Sequence, residues 1–88
     1  MDRYLTAWTD LGPAVRDYRT RAGLTQNDLA RRAGVSRASV NAMENGTANP
    51  SGALVDKVLR ALELGIVLSP RPSADAGMLA EILGEDDS

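Results

Sequence analysis

The chain has 88 residues, a net charge of −2 and 43% apolar residues, among them only one tryptophan and two tyrosines. That length suffices for one domain with one core and leaves no room for a separate catalytic domain. Cysteine and histidine are both absent, which excludes disulfides, nearly all zinc and haem sites, thiol nucleophiles and any triad with an imidazole base. No apolar run approaches a membrane span, and the N-terminus lacks a basic stretch leading into an apolar one, so a cytoplasmic protein without a membrane partner is expected. Lys57 is the sole lysine and has no motif around it, and no glycine pattern resembles a phosphate loop. An enzyme, a cofactor and a metal site are therefore not expected. Charge is unevenly distributed: residues 1–72 carry ten basic against seven acidic side chains, a net +3, whereas residues 73–88 carry five acids and no base. Such a split suits a basic binding face followed by an acidic tail.

Residues 1–8 hold Tyr4, Leu5 and Trp8 without clear punctuation, a lead-in in which Trp8 is available to dock on the body. A first helix is predicted to start between Thr9 and Pro13, with Thr or Gly as cap and Pro in the first turn. Leu11, Val15, Tyr18 and Ala22 then form one stripe of helical period, with Arg16, Arg19 and Arg21 off it, and Gly23 ends the helix. Thr25, with Asp28 three positions on, reads as a capping box opening a second helix whose buried side is Leu29, Ala30 and Ala33. Gly34 closes it, Ser36 caps a third short helix with Val40 and Met43 inward, and Asn45-Gly46 is a stop. A fourth helix follows Pro50-Ser51, with Leu54, Val55, Val58, Leu59 and Leu62 on one face. Leu64, Ile66 and Leu68 then alternate with Gly65 and Val67, the pattern of a short strand. A lone strand leaves its backbone groups unpaired, and no other segment supplies a partner. Residues 69–77 have linker composition, and Met78, Leu79, Ile82 and Leu83 make a brief amphipathic stripe before the acidic end.

The stretch from Gln26 to Glu44 carries the functional signal. Ala30 lets two helices cross closely, Gly34 allows a turn that a Cβ would penalise, and Val35 and Val40 plug the angle between the helices. One face of the third helix is thereby free to enter a major groove about 12 Å wide. A bundle whose short helices merely pack is the plain alternative.

Over about residues 10–63 this pattern, a leading Gln26, then Leu29-Ala30, then Gly34-Val35-Ser36, then Val40 and Glu44, resembles the helix-turn-helix of the Cro/C1 or Xre-type repressors. The continuation from Val58 to Leu68 resembles antitoxins of the HipB type, in which the last helix runs into a strand paired across a dimer. The resemblance implies an all-α, lambda-repressor-like bundle of four to five helices with a short C-terminal strand, spanning residues 9–68, followed by a linker and acidic tail at 69–88.

Carried over by position, it implies that Arg37, Ala38, Asn41 and Ala42 read bases, Arg37 through two hydrogen bonds to guanine and Asn41 through two to adenine. Gln26, Ser36, Ser39, Asn45 and Thr47 match phosphate contacts, with Arg31 and Arg32 added by charge. Arg16, Arg19 and Arg21 are either longer-range attractors or a solvated charged face. Arg37 has the alternative of a surface ion pair to Glu44 or another acid, and Glu44 itself is expected to brace the bundle. Ala38 and Ala42 stand where many repressors carry amides, which shifts specificity toward DNA shape and paired half-sites.

The implied function is a homodimeric transcriptional repressor that pairs through Leu62, Leu64, Ile66 and Leu68, binds a palindromic operator and represses its own promoter. Proteins of the HipB type also neutralise a HipA-like serine/threonine kinase toxin, and the tail is where such a contact, or a degron, would lie. Two other readings stay open: a stand-alone or phage-type repressor, not of the self-cleaving kind since no Ser-Lys peptidase domain follows residue 72, and a protein-interaction module that uses the acidic tail.

Overall fold

A computed structural model describes residues 3–70. Within them the chain forms a 3₁₀ turn at Trp8–Asp10 and four α-helices: α1 Leu11–Arg21, α2 Gln26–Ala33, α3 Arg37–Asn45 and α4 Gly52–Ala61. The predicted amphipathic stripe at 78–83 lies outside the described residues.

Local chemistry explains most boundaries. Asp10 Oδ2 accepts from the backbone N–H groups of Thr6 and Ala7, at 3.2 and 3.1 Å, and fixes the lead-in. The chain then runs from the 3₁₀ turn straight into α1, so neither Thr9 nor Gly12 acts as the cap. Thr25 Oγ1 accepts from the Asp28 N–H, and the Asp28 carboxylate accepts from the Thr25 N–H, each at 3.0 Å. This reciprocal pair satisfies two amides at the helix start. Ser36 and Ser51 cap α3 and α4 by the same one-way bond, at 3.0 and 3.2 Å. Gly34 and Gly46 end α2 and α3 in the left-handed conformation, φ 71° and 68°, which lets the chain reverse without a Cβ penalty.

The core gathers Leu11, Val15, Leu29, Ala30, Val40, Met43, Val55, Val58 and Leu59, with Ala33, Val35, Leu54, Leu62 and Leu64 packed at its edge. The stripe expected on α1 is corrected at its C-terminal half. Ala22 is exposed and Tyr18 half-buried, while Arg19 is buried. The packed face therefore runs Leu11, Val15, Arg19 at intervals of four, because α3 offers Arg19 a carboxylate to pair with.

Past α4, Glu63 takes a left-handed conformation, φ 57°. The Leu64 N–H then donates to the Leu59 carbonyl at 2.8 Å, closing the helix. The strand expected over 64–68 is not formed in the single chain. Its ladder needs donors and acceptors from another strand, and none exists among the described residues. Leu64 still packs on the core, but Ile66, Val67 and Leu68 are 71%, 87% and 93% exposed.

Candidate nucleic-acid interface

The two capped helices α2 and α3 are joined through Gly34, Val35 and the cap Ser36. Val40, Met43 and Glu44 point inward, Ala42 is half-buried, and Arg37, Ala38, Asn41 and Asn45 are exposed. At 100° per residue these four exposed positions share one side of the helix. Three of the four residues expected to read bases thus lie on one solvent-facing surface, with Ala42 at its margin.

What holds that surface in place is a buried ion pair. Arg19 Nε donates to Glu44 Oε2 at 2.6 Å and Arg19 Nη2 to Glu44 Oε1 at 3.0 Å, a two-pronged contact between α1 and α3. Arg19 Nη1 donates further to the Leu24 carbonyl at 2.7 Å, tying down the turn before α2. The guanidinium is held above its ordinary pKa, first by its hydrogen bonds to Glu44, against the opposing effect of burial. Every buried side-chain nitrogen and oxygen among the described residues has a partner, as a low-dielectric site requires. Glu44 braces the bundle as expected. Arg19, by contrast, is not one of the solvated arginines, and with its partner engaged Glu44 does not pair with Arg37. Among the described residues Arg37 makes no ion pair.

Gly12 was missed from sequence. It sits where α1 crosses α3, and a Cβ there would fall 2.7 Å from the Glu44 carbonyl oxygen and closer still to that of Met43. The signal was a glycine one step from Leu11 on a helix that otherwise avoids it. For Arg19 the signal was its position four residues after Val15, together with an acid at 44 that needed a base.

A polar relay runs outward from Glu44. Gln26 Nε2 donates to Glu44 Oε1 at 3.2 Å and to Asn41 Oδ1 at 3.3 Å, and Asn45 Nδ2 donates to the same Asn41 oxygen at 3.1 Å. Of the residues expected at phosphates, Gln26 and Asn45 are thus joined to Asn41. Ser36 and Ser39 are joined to each other through their hydroxyls, 2.8 Å apart. Gln26 and Arg37 are the first residues of α2 and α3, where backbone N–H groups have no acceptor within the helix. Thr47 lies just past α3 and is exposed. Arg31 is exposed and pairs with Asp28 at 2.8 Å, whereas Arg16 and Arg32 are exposed without an ion pair among the described residues. Trp8 docks on the loop after α3 through Nε1 to Asn49 Oδ1 at 2.8 Å, although the residue stays 55% exposed. No helix among the described residues is long and apolar enough to cross a membrane.

Residues 15–68 match the helix-turn-helix family. An uncharacterised helix-turn-helix transcriptional regulator of Methanothermobacter thermautotrophicus is 44% identical over 48 residues, 54% of this chain and 70% of that protein. Antitoxin HipB of Escherichia coli is 33% identical over 66 residues, 75% of this chain and 70% of HipB. Among solved structures, a HipB variant in complex with an O2 20mer is similar, with a TM-score of 0.73 and 28% identity over 80% of this chain and 97% of that one. A HipA-HipB-O2-O3 complex contains a chain with a TM-score of 0.67 and 30% identity, covering 80% of this chain and 96% of that one. With its exposed third helix, its glycine turn and its braced Glu44, the chain belongs to the helix-turn-helix family of DNA-binding regulators, of the Xre or Cro/C1 type and similar to HipB antitoxins.

Proposed function

We propose that this protein is a cytoplasmic, sequence-specific transcriptional repressor that acts as a HipB-like antitoxin, represses its own operon and neutralises a HipA-like serine/threonine kinase. Residues 9–68 form its DNA-binding and dimerisation domain, and residues 69–88 its linker and acidic tail. The observation that carries the reading is Arg37: an exposed guanidinium without an ion pair among the described residues, on the outward face of a helix locked to the core by Arg19 and Glu44. A free planar fork matches the O6 and N7 acceptors of guanine. Ala38 and Ala42 permit close approach or touch a thymine methyl. The N–H groups at the starts of α2 and α3 meet phosphates, with Ser36, Ser39, Thr47, Arg31 and Arg32 around them.

In this proposal two chains pair through Leu62, Leu64, Ile66 and Leu68 and place two copies of α3 about one DNA turn apart on a palindromic operator. The apolar exposure of Ile66 and Leu68 supports this. The kinase partner rests on the similarity to a HipB chain solved together with HipA. The similarity to the Methanothermobacter transcriptional regulator supports the regulatory part of this reading alone, and the second reading is a repressor without a toxin.

Fluorescence anisotropy of wild type and Arg37→Ala on the upstream DNA, at several salt concentrations, tests the core of the proposal. Expected are tight, salt-sensitive binding to one palindrome and a loss of about tenfold in Arg37→Ala confined to the cognate sequence. Wild-type binding no better than to random duplex would sink it. Co-expression with a neighbouring kinase reading frame, read as a stable complex or its absence, separates antitoxin from stand-alone repressor.

A further inference from the structure

We infer that Asn41 presents its amide to DNA as a donor only and so reads guanine, with Gln26 as the residue that sets its polarity. The inference rests on the proposed reading of α3 as the groove-facing helix. It replaces the adenine contact that an unconstrained asparagine suggests, because the direction of every hydrogen bond in the relay is fixed from the buried end.

Glu44 is a carboxylate held by both prongs of Arg19, and an ionised carboxylate only accepts. Gln26 therefore has to turn its NH₂ group toward Glu44 Oε1, and does so at 3.2 Å. The same nitrogen lies 3.3 Å from Asn41, which has to answer with its oxygen. Asn45 adds a second donor to that oxygen at 3.1 Å. Both acceptor positions of Asn41 Oδ1 are then filled from within the protein, and its Nδ2, with two hydrogens, is the part left for DNA. A two-bond contact to adenine needs one donor and one acceptor from the amide, and the acceptor is spent. Guanine is the base whose major-groove edge offers two acceptors, N7 and O6, and no donor. Asn41 is exposed on the same side of α3 as Arg37, one turn further along.

In selecting the base, Gln26 acts through Asn41. With Gln26→Met the side chain keeps its length but loses its donor, and nothing anchors the polarity of the Asn41–Asn45 pair. Both amides can then turn over together, Asn45 accepting and Asn41 exposing its oxygen, so that adenine becomes as acceptable as guanine.

The experiment is selection from a pool of duplexes randomised over the operator length, carried out with full-length wild type, Asn41→Ala and Gln26→Met, each first shown folded by circular dichroism. In wild type, one position per half-site is expected to favour guanine over adenine by about tenfold, and Asn41→Ala should erase that preference while leaving the one due to Arg37. In Gln26→Met the preference at that position should fall to about twofold or less, with the rest of the motif unchanged. The inference is overturned by an adenine at the Asn41-dependent position, by an Asn41→Ala motif identical to wild type, or by a Gln26→Met protein that keeps its full guanine preference. If wild type enriches no motif at all, the DNA-reading function itself fails and takes this inference with it, a result distinct from the other three.

Discussion

Arg19 and Glu44 occupy positions that an apolar pair could fill, and the exchange has a definite energetic signature. Both side chains are nearly excluded from solvent, at 11% and 1% exposure, so desolvation offsets much of their attraction, and their net contribution over a well-packed apolar pair is small or negative. Removing one partner is another matter, because the remaining charge is stranded. Arg19→Met is expected to destabilise the fold by about 3–5 kcal/mol, and Arg19→Met combined with Glu44→Leu to recover most of that loss, as read from urea unfolding midpoints. A single variant within about 1 kcal/mol of wild type would show that the pair does not hold α1 to α3. The double variant also cuts the relay to Gln26 and Asn41, so it separates two roles of Glu44: stability returns, whereas the base preference set by Asn41 does not.

At the level of the helices, capping residues do much of the specifying. Asp28 is the member of the α2 capping box that titrates. Its carboxyl is held below its ordinary value of 3.8, first by the hydrogen bond from the Thr25 backbone, then by the Thr25 side chain and Arg31. A depressed carboxylate contributes stability that is present above its unfolded value and is lost as pH falls through the folded one. The wild type is therefore expected to lose stability below about pH 4 more steeply than Asp28→Asn, whose acid limb should be flatter. Thermal midpoints from pH 2.5 to 6 check this, and parallel curves would remove Asp28 from the account. The same box was legible in the sequence, as were the Ser36 cap, the start of α4 after Pro50-Ser51 and the Gly34 and Gly46 stops, because each acts within three or four residues of itself. Arg19 and Gly12 were not, since a charge on an apolar face and a missing Cβ acquire meaning only from the helix that crosses them. Gly12→Ala would drive a methyl group into the backbone carbonyls of Met43 and Glu44. A backbone contact has no rotamer to yield, so a loss of about 1–3 kcal/mol is expected in urea unfolding, against a gain from helix propensity if the crossing were loose.

For the whole molecule, one sequence pattern finds no partner among the described residues. Ile66, Val67 and Leu68 follow a helix that has already closed on Leu64, and these three adjacent apolar residues are exposed, with no backbone hydrogen bond of theirs to another described residue. The strand expected from the pattern is not formed among the described residues, and in the proposed dimer its ladder is supplied by a second chain. In that proposed dimer, pairing at 64–68 couples oligomeric state to DNA affinity. Once one recognition helix is bound, the other searches its half-site at an effective concentration near the millimolar range, which multiplies affinity by about 10²–10⁴ without any new contact. Ile66→Asp places a charge in that seam while touching no residue of the buried core. The variant should keep the helical circular dichroism of wild type, sediment as a monomer, and bind a full operator at least about a hundredfold more weakly than wild type. Its affinity for a duplex carrying a single half-site should match that of wild type, since α3 and its brace are intact. A variant that still sediments as a dimer would move the interface away from residues 64–68. A monomer that binds the full operator as tightly as wild type would remove the two-half-site mechanism altogether.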